Sequence, residues 1–210
     1  MTDYRFDEEE FRSRAAERLL ARPPSSFGRS DDDLNPDMRV IDPIATPKLA
    51  AVLVPLVRHE PELSVLMTQR TDRLKSHAGQ VAFPGGKIDD TDRDAIAAAV
   101  REAQEETGLS ENYIEPIGFL DGYLTRTAFQ IVPVVAMVSP GFTLMPHEEE
   151  VSAIFEVPLR FLMSPENHAR HSLMWKGHER FFHAMPWQDR YIWGATAGMI
   201  MNLYDRMYRA

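Results

Sequence analysis

Three glutamates, Glu102, Glu105 and Glu106, stand at i, i+3 and i+4 in the stretch REAQEETGL (101–109). On a helix this spacing turns the three carboxylates to one side, within a sector of roughly 100°. Glu102 and Glu106 are like-charged i,i+4 neighbours, which costs an isolated helix about 0.2–0.5 kcal/mol. They fall in the last two turns, where the helix already carries partial negative charge. Arg101 and Glu105 form one compensating i,i+4 pair, which does not neutralise the group. Two readings account for such a cluster. One is a solvated acidic face. The other is a site for a hard divalent cation, Mg²⁺ or Mn²⁺: such ions take carboxylate oxygens together with waters and substrate phosphates, and their charge would cancel the repulsion.

The elements around this stretch are well specified. Ile96, Ala99, Val100, Ala103 and Thr107 recur at helical spacing and predict a helix over 92–107 whose buried face they form, with the three glutamates beside that face rather than on it. Thr91 or Asp92 is the expected N-cap and Gly108 the C-terminal stop. Upstream, GQVAFPGG (79–86) reads as a strand ending in a Pro-Gly-Gly turn, where Gly85 and Gly86 allow positive φ or a close backbone approach. LAAVLVPLV (49–57) and LSVLMTQR (63–70) read as two buried strands joined by a turn. YIEPIGFLDGYLT and AFQIVPVVAMV supply further strands, with Pro133 pointing to an edge or a bulge. EEVSAIFEVPL reads as a strand running into a short helix near 158–163, and an amphipathic helix starts at about Trp193. Strands on both sides of a central helix make the class α/β (α+β). Ahead of this domain, 48–210, lies an arm, 1–47: a helix over 6–21 carrying Phe11, Ala15, Leu19 and Leu20 on one face, then the Pro-, Ser- and Asp-rich RPPSSFGRSDDDLNPD. The arm helix is expected to pack on the domain or against a second subunit, making a homodimer.

Bulk composition narrows the partners. The formal net charge of -9 disfavours tracking a nucleic-acid backbone. The absence of cysteine excludes disulfides, zinc-thiolate and iron-sulfur sites, and thiol nucleophiles. The acidic start MTDYRFDEEEF lacks the basic and apolar runs of a signal peptide, and no apolar run approaches the roughly 20 residues of a membrane span. A cytoplasmic protein without membrane partners is expected.

Joined together, the glycines and the helix form one specific pattern, GGKIDDTDRDAIAAAVREAQEETGL (85–109). It resembles the signature of the Nudix hydrolases, G-x₅-E-x₇-R-E-U-x-E-E-x-G-U with U aliphatic, at Gly86, Arg101, Glu102, Ala103, Glu105, Glu106, Gly108 and Leu109. Asp92 stands where the first glutamate belongs, and eight residues rather than seven separate it from Arg101. LMTQRTDRLKSHAGQVAFPGGKIDDTD (66–92) is further similar to a segment of the coenzyme A pyrophosphatase branch of that family, at Leu66, Thr68, Arg70, Leu74, His77, Gly79 and the run Val81 to Gly86.

The resemblance implies an α/β/α sandwich with a mixed sheet, and a metal-dependent hydrolase that cleaves the pyrophosphate of a nucleoside diphosphate derivative. In the coenzyme A branch the products would be 3′,5′-ADP and (acyl-)4′-phosphopantetheine. Other substrates of the family (ADP-ribose, NADH, a dinucleoside polyphosphate or a deoxynucleoside triphosphate) stand as alternatives, and a non-catalytic ligand-sensing or interaction module on the same fold as a third. Glu102, Glu105, Glu106 and the backbone of Gly86 would hold Mg²⁺ or Mn²⁺, with Arg101 orienting the acids. Glu150, with Glu149 behind it, or one of the motif glutamates would be the general base. Gly85 and Gly86 would position phosphate. Arg70 and Lys75 would take the 3′-phosphate, while His77 is either a further substrate contact or a buried structural histidine.

Overall fold

The computed structural model describes residues 4–38 and 46–209. Of the expected arm, residues 1–3 and 39–45 lie outside the described set, as does Ala210. In chain order the strands are β1 (Arg29–Ser30), β2 (Lys48–Val57), β3 (Ser64–Arg70), β4 (Val81–Ala82), β5 (Gly85–Lys87), β6 (Ile114–Phe119), β7 (Tyr123–Leu124), β8 (Phe129–Val138), β9 (Val151–Pro158), β10 (Ala169–Trp175), β11 (His178–Trp187) and β12 (Arg190–Trp193). The α-helices are α1 (Glu8–Arg18), α2 (Ala95–Thr107), α3 (Leu159–Met163) and α4 (Gly194–Met207).

Among the described residues, nine strands form one mixed sheet along the path β1-β7-β8-β2-β3-β4, with β5 beside β2, β6 beside β8 and β9 beside β3. β2 and β8 run parallel from Lys48–Phe129 to Val57–Val138. Every residue of β2 from Ala50 to Val57 is buried, as a strand covered on both faces requires. Ala51 and Leu53, with Val132, Val134 and Ala136 of β8, face α2. Val52, Val54 and Leu56, with Val135 and Met137, face the layer of α1, α3 and α4. The result is the three-layered α/β arrangement with a mixed sheet.

Pro133 is neither on an edge strand nor in a bulge of its own strand. It sits inside β8, where the partner changes from β6, ending at Phe119–Val134, to β7, beginning at Tyr123–Ile131. Its carbonyl accepts from the Leu120 amide at 3.1 Å. The missing N–H would point to the same side, into the gap between two partners, so no ladder bond is lost.

β2 and β3 pair only at Leu56–Val65 and Val57–Ser64. Beyond that point they diverge, and the segment carrying β4 and β5 fills the fork. β4 pairs with Thr68 and Gln69 of β3, and β5 with Ala50, Ala51 and Val52 of β2. The expected Pro-Gly-Gly turn is therefore corrected: Pro84 links two short strands, and Gly85 and Gly86 lie in the second of them.

The arm helix packs on its own domain. Asp7 caps α1 by accepting from the Glu10 amide, and Phe11 and Ala15 enter the main core. Arg14 lies over the rings of Tyr4 and Tyr208, 4.5 and 5.1 Å from their centroids, and donates to the Met207 carbonyl at 2.8 Å. A cation at the C-terminal end of α4 also suits that helix's dipole. The helix is shorter than expected because Leu20 leaves it to pair with Phe119. The polar segment that follows is fastened rather than free: Asp31 accepts from Tyr123 Oη and the Arg126 amide, both at 2.9 Å, and Asn35 exchanges hydrogen bonds with the Phe181 backbone. A second, three-stranded sheet, β10-β11-β12, turns at Lys176 and Gly177 with φ of 48° and 83°. This positive-φ pair is the turn geometry that two-residue hairpins favour.

Because Phe11 is fully buried, Phe11→Ala is expected to destabilise the whole domain by about 3–5 kcal/mol, read as a lowered urea midpoint with unchanged slope. A midpoint equal to wild type would show that the arm helix adds nothing to the core.

Candidate active site

The acidic cluster forms where the end of α2 passes over the filled fork. Asp94, not Thr91 or Asp92, caps α2, accepting from the Ala97 amide at 2.9 Å. Asp92 is occupied elsewhere. It closes a turn with Asp89, and it accepts a two-pronged interaction from Arg101, Nε to Oδ1 at 3.0 Å and Nη2 to Oδ2 at 2.9 Å. The Arg101 guanidinium and the Asp89 amide hold the Asp92 carboxyl down at about 2. A short bend at Arg93 and Asp94 separates Asp92 from the helix, and the shorter acid still reaches Arg101. Arg101 also donates to Glu102 Oε1 at 3.0 Å, Glu105 Oε2 at 3.2 Å and the Lys87 carbonyl at 3.2 Å. It is a hub joining the helix to the loop that enters it.

The placement of Glu106 corrects the expectation that all three glutamates lie beside the core face. The buried stripe of α2 is Ala95, Ala98, Ala99, Ala103, Glu106 and Thr107. Glu106 is i+7 from Ala99, so it continues that stripe. The alanines keep the helix close to the sheet, and its end carries Glu106 over β5. There Glu106 Oε2 accepts from the Gly85 amide at 3.2 Å, and Oε1 lies 3.6 Å from Arg70 Nη1. Burial, only partly offset by the Gly85 amide and Arg70, pushes the Glu106 carboxyl up to about 7. Burial likewise raises Glu102 against the pull of Arg101. Glu105 is exposed, tied only at the rim.

Glu150 joins the cluster through the end of α2. The helix leaves carbonyls without intrahelical partners there. The Met145 amide donates to the Thr107 carbonyl at 2.8 Å and the His147 amide to that of Glu106 at 3.0 Å. This draws the loop before β9 against the helix, and the Thr71 amide donates to the Glu150 carbonyl at 2.9 Å. The Glu150 charge adds to burial in raising both Glu102 and Glu106. Glu149 is exposed. Lys75 and His77 are exposed on the loop between β3 and β4, outside the cluster. His77 is not a buried structural histidine: its Nδ1 meets Gln80 Oε1 at 2.9 Å, and its φ is 57°.

The two glycines have different tasks. A Cβ on Gly85 would stand 2.4 Å from the Ala51 carbonyl oxygen and 2.6 Å from Val52 Cα. A Cβ on Gly86 would meet the Glu102 carboxylate at 2.4–2.5 Å. Gly85 lets the strand close on β2, whereas Gly86 leaves room for an acid.

These groups suit a hard divalent cation. The donors are carboxylate oxygens and backbone, the space over Gly86 is already filled by one of those carboxylates, and burial leaves Glu106 short of positive charge. Among the described residues no three acidic or imidazole side chains are drawn around one point. Guanidinium groups stand among them instead, Arg101 between Glu102 and Glu105 and Arg70 against Glu106. The residues that would hold a cation are Glu102, Glu105, Glu106 and the Gly86 backbone. A separate cavity of about 260 Å³ lies between the arm, β11 and α4, lined by Arg29, Asp31, Tyr123, Arg180 and Asp205 among others; the acidic cluster does not line it. No helix of the described residues is long and apolar enough to cross a membrane.

Two outcomes follow. Gly85→Ala strikes backbone and should lower Tm strongly, whereas Gly86→Ala displaces only the end of a side chain and should lower it little; equal losses would contradict the division of tasks. The second concerns pH. In metal-free protein the folded-state pKa of Glu106, about 7, lies above its ordinary 4.5. The native state therefore binds this proton more tightly than the unfolded chain. Stability from this group is fully present below 4.5 and is lost as pH rises through about 7, by on the order of 3 kcal/mol. In EDTA, Glu106→Gln should melt above wild type at pH 8, with the gap closing as pH falls below 5; parallel melting profiles would refute the buried charge.

The NUDIX domain family matches residues 47–185. The uncharacterized Nudix hydrolase NudL of Escherichia coli strain K12 is 42% identical over 154 residues, spanning 73% of this chain and 80% of NudL. Its counterpart in Shigella boydii serotype 18 is 41% identical over 154 residues, with the same coverage. Among solved structures, the MutT protein of Methanosarcina mazei Go1 is similar with a TM-score of 0.50 at 18% identity, covering 80% of this chain and 99% of that one, a likeness of fold alone. The family match takes in the fork, the helix α2 and the acidic cluster together, and the chain belongs to the Nudix hydrolase family.

Proposed function

We propose that this chain is a divalent-cation-dependent pyrophosphohydrolase that cleaves coenzyme A or acyl-coenzyme A to 3′,5′-ADP and (acyl-)4′-phosphopantetheine. The observation that carries the chemistry is the approach of Glu102 to Gly86 and of Glu106, with Arg70 beside it, to Gly85, while the Glu150 charge is felt at both acids. Support for the substrate comes from the segment 66–86, whose residues resemble the coenzyme A branch and which supplies both Arg70 and the exposed loop of Arg73, Lys75 and His77. A cation held by Glu102, Glu105, Glu106 and the Gly86 backbone would neutralise pyrophosphate charge and make a neighbouring water more acidic.

The chain's own groups do the rest. Glu150 takes the proton from the attacking water as its oxygen bonds to phosphorus, and the bridging P–O bond breaks with its electrons on the departing phosphate. Arg70 faces the pyrophosphate, because its guanidinium lies at the acidic cluster. Lys75 and His77, out on the loop, are left for the 3′-phosphate. Arg101 contacts no substrate; it keeps Glu102 and Glu105 in place.

Full-length protein should be incubated with Mg²⁺ or Mn²⁺ and coenzyme A, acetyl-coenzyme A, ADP-ribose, NADH, diadenosine tetraphosphate or a deoxynucleoside triphosphate, and the products separated. Release of 3′,5′-ADP from coenzyme A with the highest kcat/KM is expected. Faster turnover of another compound would overturn the substrate, and no turnover of any would favour a ligand-sensing role. Losing a ligand to such a cation forfeits several kcal/mol, so Glu106→Gln should lower kcat by roughly 10²–10³.

A further inference from the structure

Arg70 is the last residue of β3, and its backbone is fixed on three sides. Its amide donates to the Gln80 carbonyl at 2.9 Å, its carbonyl accepts from Ser152 Oγ at 3.4 Å, and the next amide, Thr71, donates to the Glu150 carbonyl. Its side chain is held far less firmly. Nε is buried and has no hydrogen-bond partner among the described residues. Nη1 is 3.6 Å from Glu106 Oε1, inside ion-pair range but beyond a hydrogen bond. Among the described residues, Glu106, almost wholly buried, has only this guanidinium and the Gly85 amide to offset its charge. The contrast with Arg101, which donates five hydrogen bonds at 2.9–3.2 Å, is plain. Arg101 is a fixture, whereas Arg70 is a counter-ion on a long, flexible stem from an anchored base.

We infer that Arg70 is shared between Glu106 and the substrate: it neutralises Glu106 when no divalent cation is bound, and turns to the pyrophosphate once Glu106 is a cation ligand. This rests on Glu106 being such a ligand. Two positive groups then compete for one buried carboxylate, and the displaced guanidinium is left desolvated beside the anion it can grip with two parallel N–H bonds. Arg70 thereby opposes cation binding in the absence of substrate and favours anion binding in the presence of cation. By linkage the two ligands strengthen each other through this side chain, beyond their direct contact. Arg70 is on this account a substrate-contacting residue whose availability the cation controls.

Mn²⁺ affinity, measured by paramagnetic resonance of free ion on the full-length protein without substrate, is the primary reading. Arg70→Met removes the competitor and should bind Mn²⁺ about tenfold more tightly than wild type, while Arg73→Met, which deletes the same charge from the exposed loop, should change it less than about twofold. In saturating Mg²⁺, the affinity for methylenediphosphonate, a pyrophosphate that cannot be hydrolysed, should fall about tenfold or more in Arg70→Met. Unchanged or weaker Mn²⁺ binding in Arg70→Met, an equal gain in Arg73→Met, or undiminished diphosphonate binding would each overturn the proposal. Arg70→Lys covers the case in which the methionine variant does not fold: it keeps the charge but loses the fork, and should retain Mn²⁺ affinity near wild type with weakened diphosphonate binding. Unchanged diphosphonate binding in that variant would equally overturn it. Glu106→Gln separates the two levels. If it binds Mn²⁺ like wild type, the assignment of Glu106 as a ligand fails; if it binds weakly while Arg70→Met behaves like wild type, only the sharing role fails.

Discussion

Negative charges brought together at the margin of a protein core repel one another more strongly than they would in water, because little solvent lies between them. This chain nevertheless places Glu150 close enough for its charge to be felt at Glu102 and Glu106, and Glu102 close enough to be felt at Glu106. The surrounding structure can be understood as the means of holding that arrangement. Arg101 ties α2 to its entry loop through Asp92 and the Lys87 carbonyl, so the helix cannot rotate the acids outward. The alanine stripe keeps the helix against the sheet. The amides of Met145 and His147 close its far end. Each is a short-range interaction, but together they hold three acidic residues from two parts of the chain, α2 and the loop before β9.

The divergence of β2 and β3 gives this assembly its floor. A sheet with continuous neighbours would have no gap in which to set a strand end-on to a helix. Here the two strands part after their short shared ladder, and the segment 81–87 enters between them. The Leu53 amide bonds to the Pro84 carbonyl at 2.9 Å, which pins the bend of that segment to the sheet. Backbone thus lies directly beneath the acids, and a side chain at Gly86 would take the room that the Glu102 carboxylate occupies.

Much of this was legible in the residues. The helix, its Gly108 end, the paired central strands and the three glutamates follow from periodicity and turn chemistry, because each is a local property. What was not legible is non-local. The rotation of α2 that buries Glu106 depends on alanines being small enough to sit on the sheet, although the i+7 spacing from Ala99 already hinted at it. Asp92 read as a displaced motif acid or a cap, and its pairing with Arg101 emerges only when the turn at 89–92 is folded. Arg70 belonged to a basic run by sequence, yet alternation along β3 and the fork separate it from Lys75 and His77. The sheet of β10 to β12 escaped notice, since His, Arg and exposed aromatic residues mask the strand pattern and Lys-Gly is a weak turn signal.

The little strand β1 has an effect out of proportion to its length. Open sheet margins invite other chains to add themselves, and proteins avoid this with short, charged or covered borders. β1 supplies two residues beside β7 and then turns away into Asp31, Asp32 and Asp33. Asp31 and Asp32 are taken up by Tyr123, Arg126 and Arg180 within the same molecule, and Asp33 accepts from Ser30 Oγ at 3.0 Å. The border of the large sheet on that side is therefore spent internally: a foreign strand arriving there meets a carboxylate-studded turn instead of a row of waiting amides.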